Sequence, residues 1–207
     1  MRDVEGALAS LGSGTSGAAE AAARRVVARA VADGLADVAY GWADSPFGRL
    51  LVAATSRGLV RLAYEYEPPD HVLEELAESI SPRVLEVPDR LDEVRRELEE
   101  YFVGERHRFD VPVDWTLVME GFSRRVLQAT ARVPFGRVTT YGDVARRAGS
   151  PRAARAAGNA LGSNPIPIVV PCHRVIRSGG ELGGYGGGGP ERKAFLLRLE
   201  GAVDDIG

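Results

Sequence analysis

Cys172 is the only cysteine in the 207-residue chain. It stands between Pro171 and the pair His173-Arg174, inside a run from Asn164 to Ile176 that is otherwise proline and aliphatic residues. A cysteine attacks as its thiolate, and a neighbouring positive charge favours that form, so His173 and Arg174 are candidate activators. Ile166 to Val170 predicts a buried strand or extended segment ahead of the thiol, and Pro171 restrains the backbone entering it. A buried structural cysteine is the competing reading, because free cysteines are among the most buried residues. His173 follows Cys172 directly. In an extended chain the two side chains diverge, so a bridging water is the natural route for the thiol proton.

The elements that must hold this thiol can be read on both sides of it. Phe122 to Ala131 repeats apolar residues at helical spacing, Val133 to Val138 is a turn, and Thr139-Thr140-Tyr141 leads into a helix from Gly142 to Ala148. Gly149-Ser150-Pro151 predicts a stop followed by a new start, with Ser150 as cap and Pro151 in the first turn of a helix running from Arg152 to Leu161. Two short helices across a tight turn predict helix-turn-helix geometry. The second is nearly bare: Ala153, Ala154, Ala156, Ala157 and Gly158 carry almost no bulk beside Arg152, Arg155 and Asn159. Such a helix lacks the long polar side chains that read a major groove, and suits close backbone approach to a minor groove. Tight packing inside the protein is the alternative.

The sequence Pro171-Cys172-His173-Arg174-Val175, preceded by Asn164-Pro165 and followed by Gly183-Gly184-Tyr185-Gly186, resembles the active-site signature of the O6-alkylguanine-DNA alkyltransferases. These are single-use DNA-repair proteins, also called methylated-DNA–protein-cysteine methyltransferases. The resemblance runs from about Phe122 to Ala202 for that family's DNA-binding domain, and from about Ala39 to Val113 for its smaller N-terminal domain. It implies a fold of the α/β plus mainly α class: a small RNase H-like domain over 37–114, then a winged helix-turn-helix-like alkyltransferase domain over 115–207. It further implies that O6-alkylguanine, and O4-alkylthymine, is flipped out of double-stranded DNA and dealkylated irreversibly, once per chain, without cofactor or metal.

Residue by residue, the resemblance makes Cys172 the alkyl acceptor and His173 the relay. Glu200 orients the histidine, and Asn164 braces the active-site turns. Arg155 becomes the finger that fills the gap left by the flipped base, on the small surface of Ala154 and Gly158. Tyr141 pushes on the target phosphate, Tyr185 and Gly186 close over the base, and Val175 and Leu161 line the pocket. Between Tyr185 and Glu191 the chain is one residue longer and richer in glycine than the family pattern. Leu127 stands near where that pattern has an aromatic.

Charge agrees with such a partner. The net charge of −3 divides into 13 basic against 23 acidic side chains over residues 1–120, and 13 against 6 over residues 121–207. An acidic part is thus joined to a basic, phosphate-facing one. In the first part, Val38 to Ala63 predicts strands joined by tight turns, including Ser45-Pro46-Phe47-Gly48. Val72 to Ile80 and Leu91 to Phe102 predict amphipathic helices, the second with its acidic residues outward and Gly104 at its end. Phe109 to Asp114 predicts an extended linker. Residues 1–16 are expected to be disordered, followed by an Ala-rich helix from Ala18 to Ala32, with no role assigned. A single cysteine excludes an internal disulfide and fits a reducing, cytoplasmic setting, and no apolar run is long enough to span a membrane. A monomer is expected, with His71 and His107 on the surface and no metal site. Rival readings are a non-catalytic binder of alkylated DNA, a helix-turn-helix regulator and a cysteine hydrolase.

Overall fold

The computed structural model describes residues 34–202 together with Ala22, Arg25 and Arg29, which are helical. The disorder expected over 1–16 and most of the helix expected over 18–32 lie outside the described residues. β1 (Val38–Ala43), β2 (Leu50–Thr55) and β3 (Gly58–Ala63) form an antiparallel meander, and β4 (Val84–Glu86) adds parallel to β1, giving the order β3-β2-β1-β4. β4 was not visible in the sequence, being only three residues long.

Alternation along β2 shows how the sheet is used. Leu51 and Ala53 face helix α1 (Pro69–Ser79) and pack with Val72 and Leu76. Leu50 and Val52 face the other way and pack with Leu91, Val94, Leu98 and Tyr101 of the segment leading into and forming α2 (Asp92–Phe102). Each leucine buried there stabilises the fold by roughly 1.5–3 kcal/mol. The acidic residues of α2 do not all point outward. Glu97 is buried and accepts hydrogen bonds from the backbone N–H groups of Asp110 and Val111, at 2.9 and 3.3 Å. Its carboxylate thereby fixes the linker, which in turn pairs with β3: Leu59 N donates to Pro112 O and Asp114 N to Leu59 O, both at 2.8 Å.

The regular structure of the rest of the described chain is mainly helical. α3 (Phe122–Thr130), α4 (Tyr141–Arg147) and α5 (Ala154–Gly162) pack on one another through Val126, Leu127, Val144, Ala157 and Leu161. β5 (Thr139–Thr140) and β6 (Val175–Ile176) form a short parallel pair, and α6 (Pro190–Leu199) closes the sequence of elements. Thr140 caps α4, its hydroxyl accepting from Asp143 N at 3.1 Å. The start of α5 differs from expectation. Ser150 to Ala153 closes as a turn, with Ala153 N donating to Ser150 O at 3.0 Å, and the helix begins at Ala154 without a side-chain cap. Ser150 and Pro151 therefore set the turn of the helix-turn-helix rather than the first turn of its second helix.

β3 also reaches the segment before the thiol. Leu62 N donates to Pro165 O at 2.8 Å, so an edge strand of the sheet is satisfied by the turn that carries Asn164.

Candidate active site

Ile166 to Val170 is buried as predicted but is not extended. Ile166, Ile168 and Val170 are fully buried in consecutive turns, with Val170 N donating to Ile166 O at 2.9 Å. Prolines at 165, 167 and 171 remove the donors a strand would need. Ile168 adopts φ +73°, the left-handed region that a β-branched residue normally avoids. Such strain, of order 1–3 kcal/mol, persists only where the surroundings impose it. Asn164 is part of what imposes it. Its side-chain carbonyl accepts from Ile166 N at 3.1 Å, and its Nδ2 donates to Val170 O at 2.8 Å.

The same Nδ2 lies 3.2 Å from Cys172 Sγ, so the residue that braces the turns also donates to the sulfur. Cys172, His173 and Arg174 form one turn of 3-10 helix instead of an extended stretch. The thiol is 5% exposed. Burial pushes it above its ordinary range, while the Asn164 hydrogen bond and the nearby Lys193 charge pull it down.

Behind the thiol, His173 Nε2 is 2.8 Å from Glu200 Oε1, both side chains fully buried. Burial of the Glu200 carboxyl would raise its pKa, but hydrogen bonds from His173 and Arg174 outweigh it and hold the group at about 2. Burial lowers His173 despite Glu200 beside it. An ionised Glu200 can only accept, so neutral His173 carries its proton on Nε2. Nδ1, which has no protein partner, is then the basic nitrogen. Arg174, expected beside the thiol, points away from it. Its Nε and Nη2 donate to Glu200 at 2.8 and 2.9 Å, and its Nη1 donates to Val133 O at 2.5 Å. Tyr101 of α2 donates its hydroxyl to Glu200 Oε1 at 2.7 Å. One carboxylate thus joins the first part of the chain, the 3-10 turn and the end of α6.

In front of the thiol lies a cavity of about 570 Å³. Its walls include eight residues singled out in the sequence: Cys172, Tyr141, Ala154, Arg155, Gly158, Leu161, Tyr185 and Gly186. Arg155 is exposed, and the helix surface beside it, at Ala154 and Gly158, is half-buried against the opening. A Cβ on Gly158 would sit 3.7 Å from the Tyr141 ring, ordinary contact, so the glycine leaves room in the cavity rather than relieving a clash. Gly186 is different. A Cβ there would lie 2.5 Å from Gly162 O, so the loop reaches α5 only because it lacks a side chain. Val175, expected on the wall, is fully buried in β6 and is not part of it. Asn164, His173 and Glu200 stand behind the sulfur.

Several members of the site were not visible in the sequence. Arg177 lines the cavity and brings a second guanidinium to a wall with no carboxylate. Lys193 is fully buried, its Nζ donating to Val175 O and Leu182 O at 2.5 Å and to Gly184 O at 3.3 Å. Burial lowers its pKa to about 8, while the Cys172 charge raises it. Tyr64 and Tyr66, from the loop after β3, hold the glycine-rich segment: the Tyr64 and Tyr185 hydroxyls are 2.8 Å apart, and Tyr66 donates to Gly186 O at 2.8 Å. Arg192 lies over both rings, 4.9 and 5.2 Å from their centroids. His107, exposed as expected, stacks on Phe135 at 4.2 Å.

Comparison with known proteins gives two family matches. Residues 38–115 match the family described as 6-O-methylguanine DNA methyltransferase, ribonuclease-like domain, and residues 121–202 match its DNA binding domain. The constitutive methylated-DNA–protein-cysteine methyltransferase of Bacillus subtilis is 39% identical over 163 residues, which is 78% of this chain and 94% of that protein. Mycobacterium tuberculosis OGT, solved in complex with DNA, is 38% identical with a TM-score of 0.65, over 79% of this chain and 93% of that one. The O6-methylguanine-DNA methyltransferase of Pyrococcus kodakaraensis is 26% identical with a TM-score of 0.57, over 79% of this chain and 99% of that one.

Proposed function

Because the chain belongs to the 6-O-methylguanine DNA methyltransferase family, we propose that it repairs DNA by taking the alkyl group of O6-alkylguanine, and of O4-alkylthymine, onto Cys172 once per chain. The observation that carries this reading is the placement of Cys172 Sγ. The sulfur lines a cavity of about 570 Å³ walled by a bare helix and a glycine-rich loop, with His173 and an ionised Glu200 directly behind it.

His173 Nδ1 takes the thiol proton through one water, and Glu200 steadies the imidazolium that results. Asn164 Nδ2 and the Lys193 ammonium stabilise the thiolate. The sulfur attacks the alkyl carbon in line, the carbon–O6 bond breaks, and its electron pair leaves with the base. The base then gains one proton, balancing the one lost by the thiol. The product thioether has no leaving group suited to return, so the acceptor is spent.

O6 lies within the stacked duplex, so the base must leave the stack to meet a buried sulfur. Arg155 fills the gap that it leaves, while Tyr141, whose hydroxyl donates to Gly184 O at 3.3 Å, borders the cavity that receives it. Arg177 meets a phosphate, and the small residues of α5 let the backbone approach the minor groove. The protein acts as a monomer in the reducing cytoplasm, where a free thiol persists. A duplex carrying O6-methylguanine, followed by intact-chain mass, tests this: wild type gains one methyl and Cys172→Ser gains none while still binding DNA. Methyl uptake by the serine variant would show that the acceptor lies elsewhere.

A further inference from the structure

Cys172 also lies on the wall of a second cavity, of about 260 Å³, on the side facing the sheet. Asn164 and Pro167 of the active-site turns bound it on one side, and Tyr64 and Tyr66 on another. Gly186 belongs to both cavities, so the strap formed by Tyr185 and Gly186, tied to Tyr64 and Tyr66, runs between them.

One part of the second wall is ionic, formed by Arg61, Glu67 and Glu75. Arg61 is held by Glu67 at 2.5 Å and by Glu75 at 3.2 Å, and its Nη1 donates to Leu62 O at 2.9 Å. The guanidinium is thus occupied by partners, and two carboxylates against one cation leave this wall at a net −1. Arg192, over the outer tyrosine rings, is not on it.

In an in-line displacement the sulfur, the transferred carbon and O6 share one axis. Whatever else that carbon carries must project sideways from the axis. When the base occupies the larger cavity, a longer alkyl chain needs a second opening that reaches the sulfur, and this cavity supplies one. It is larger than the roughly 150 Å³ that admits a benzene ring in an engineered protein cavity. We propose that the second cavity receives the alkyl chain beyond the transferred carbon, and that Arg61, Glu67 and Glu75 select chains ending in a cation over chains ending in a carboxylate. The inference rests on the alkyl-transfer reading above. It adds a class of lesion, O6-aminoalkylguanine, and assigns its selection to residues outside the cavity that takes the base.

The test uses the full chain and three duplexes carrying O6-methyl-, O6-aminobutyl- or O6-carboxypropylguanine, with transfer followed by intact mass. Wild type should transfer aminobutyl over carboxypropyl by about fivefold, the size of one favourable charge interaction at a partly exposed site. Glu75→Gln should shrink that ratio, and Glu75→Lys, which turns the wall from −1 to +1, should reverse it. Taking the ratio within each variant cancels any general change in activity or folding, and comparing variants cancels intrinsic differences between the two chains. A wild-type ratio at or below one, or a ratio that Glu75→Lys leaves unmoved, overturns the inference. No transfer from O6-methylguanine overturns the alkyl-transfer reading itself, which separates the two failures.

Discussion

Glu200→Gln probes the joint on which the site is built. Glu200 is 4% exposed and accepts from Tyr101, His173 and twice from Arg174. Glutamine keeps the volume but offers one acceptor oxygen and places an NH2 group where donors already point. Arg174, 6% exposed, would keep Val133 O but lose its counter-charge. Removing one partner of a buried pair costs about 3–5 kcal/mol. The depressed pKa expresses the same interactions: 4.5 falling to about 2 on folding corresponds to about 3 kcal/mol at neutral pH. For a chain of this size that is a melting temperature lower by about 6–20 °C. Because the folded pKa is depressed, this stability is present above pH 4.5 and is lost as the pH falls towards 2. The variant should therefore melt lower at pH 7 and lose less than wild type between pH 5 and about pH 3. Methyl transfer should slow by about 10²-fold or more, since His173 loses its orienting acceptor. A fall of less than about 2 °C at pH 7 would refute the claim that this carboxylate holds the site together.

Arg155→Ala should slow repair in duplex DNA by about 10²-fold, the cost of unstacking a base unaided, while a free O6-substituted guanine reacts almost normally. Equal slowing of both substrates would remove the flipping role. Lys193→Met should move the pH profile of thiol alkylation by iodoacetamide upward, because the ammonium that favours the thiolate is gone, and should cost about 1–3 kcal/mol of stability from carbonyls left unpaired. An unmoved profile would contradict the electrostatic role. Stoichiometric S-methylation should lower the melting temperature by about 2–4 °C, because the thioether loses the Asn164 hydrogen bond, worth about 1 kcal/mol. A rise would contradict it.

What could be read from the sequence was what short-range chemistry encodes. The meander from Val38 to Ala63 follows from alternation and turn residues, and the two short helices from Thr140 to Gly162 follow from their punctuation. Cys172 and His173 announce themselves by type and adjacency. Adjacency also misled: Arg174 is next to His173, yet a 3-10 turn sends its guanidinium to Glu200, and no pattern in the sequence specifies that turn. Ile166 to Val170 has the apolar content of a strand, but alternate prolines fold it into turns that only Asn164, six residues away from the last carbonyl it grips, makes intelligible. Glu97 resembles its exposed acidic neighbours until the linker brings two N–H groups to it. Tyr64, Tyr101 and Lys193 were unreadable for one reason: each reaches the site from a separate element, and only tertiary packing places them there.

The central claim is that Cys172 accepts one alkyl group and is not regenerated. Its most direct measurement gives the protein an excess of O6-methylguanine duplex, counts repaired guanine at completion and weighs the same chains. The account predicts a plateau at one repaired base per chain, with a single added methyl that peptide mapping places on Cys172. Repair continuing past one equivalent, or a plateau reached with unmodified Cys172, would contradict it.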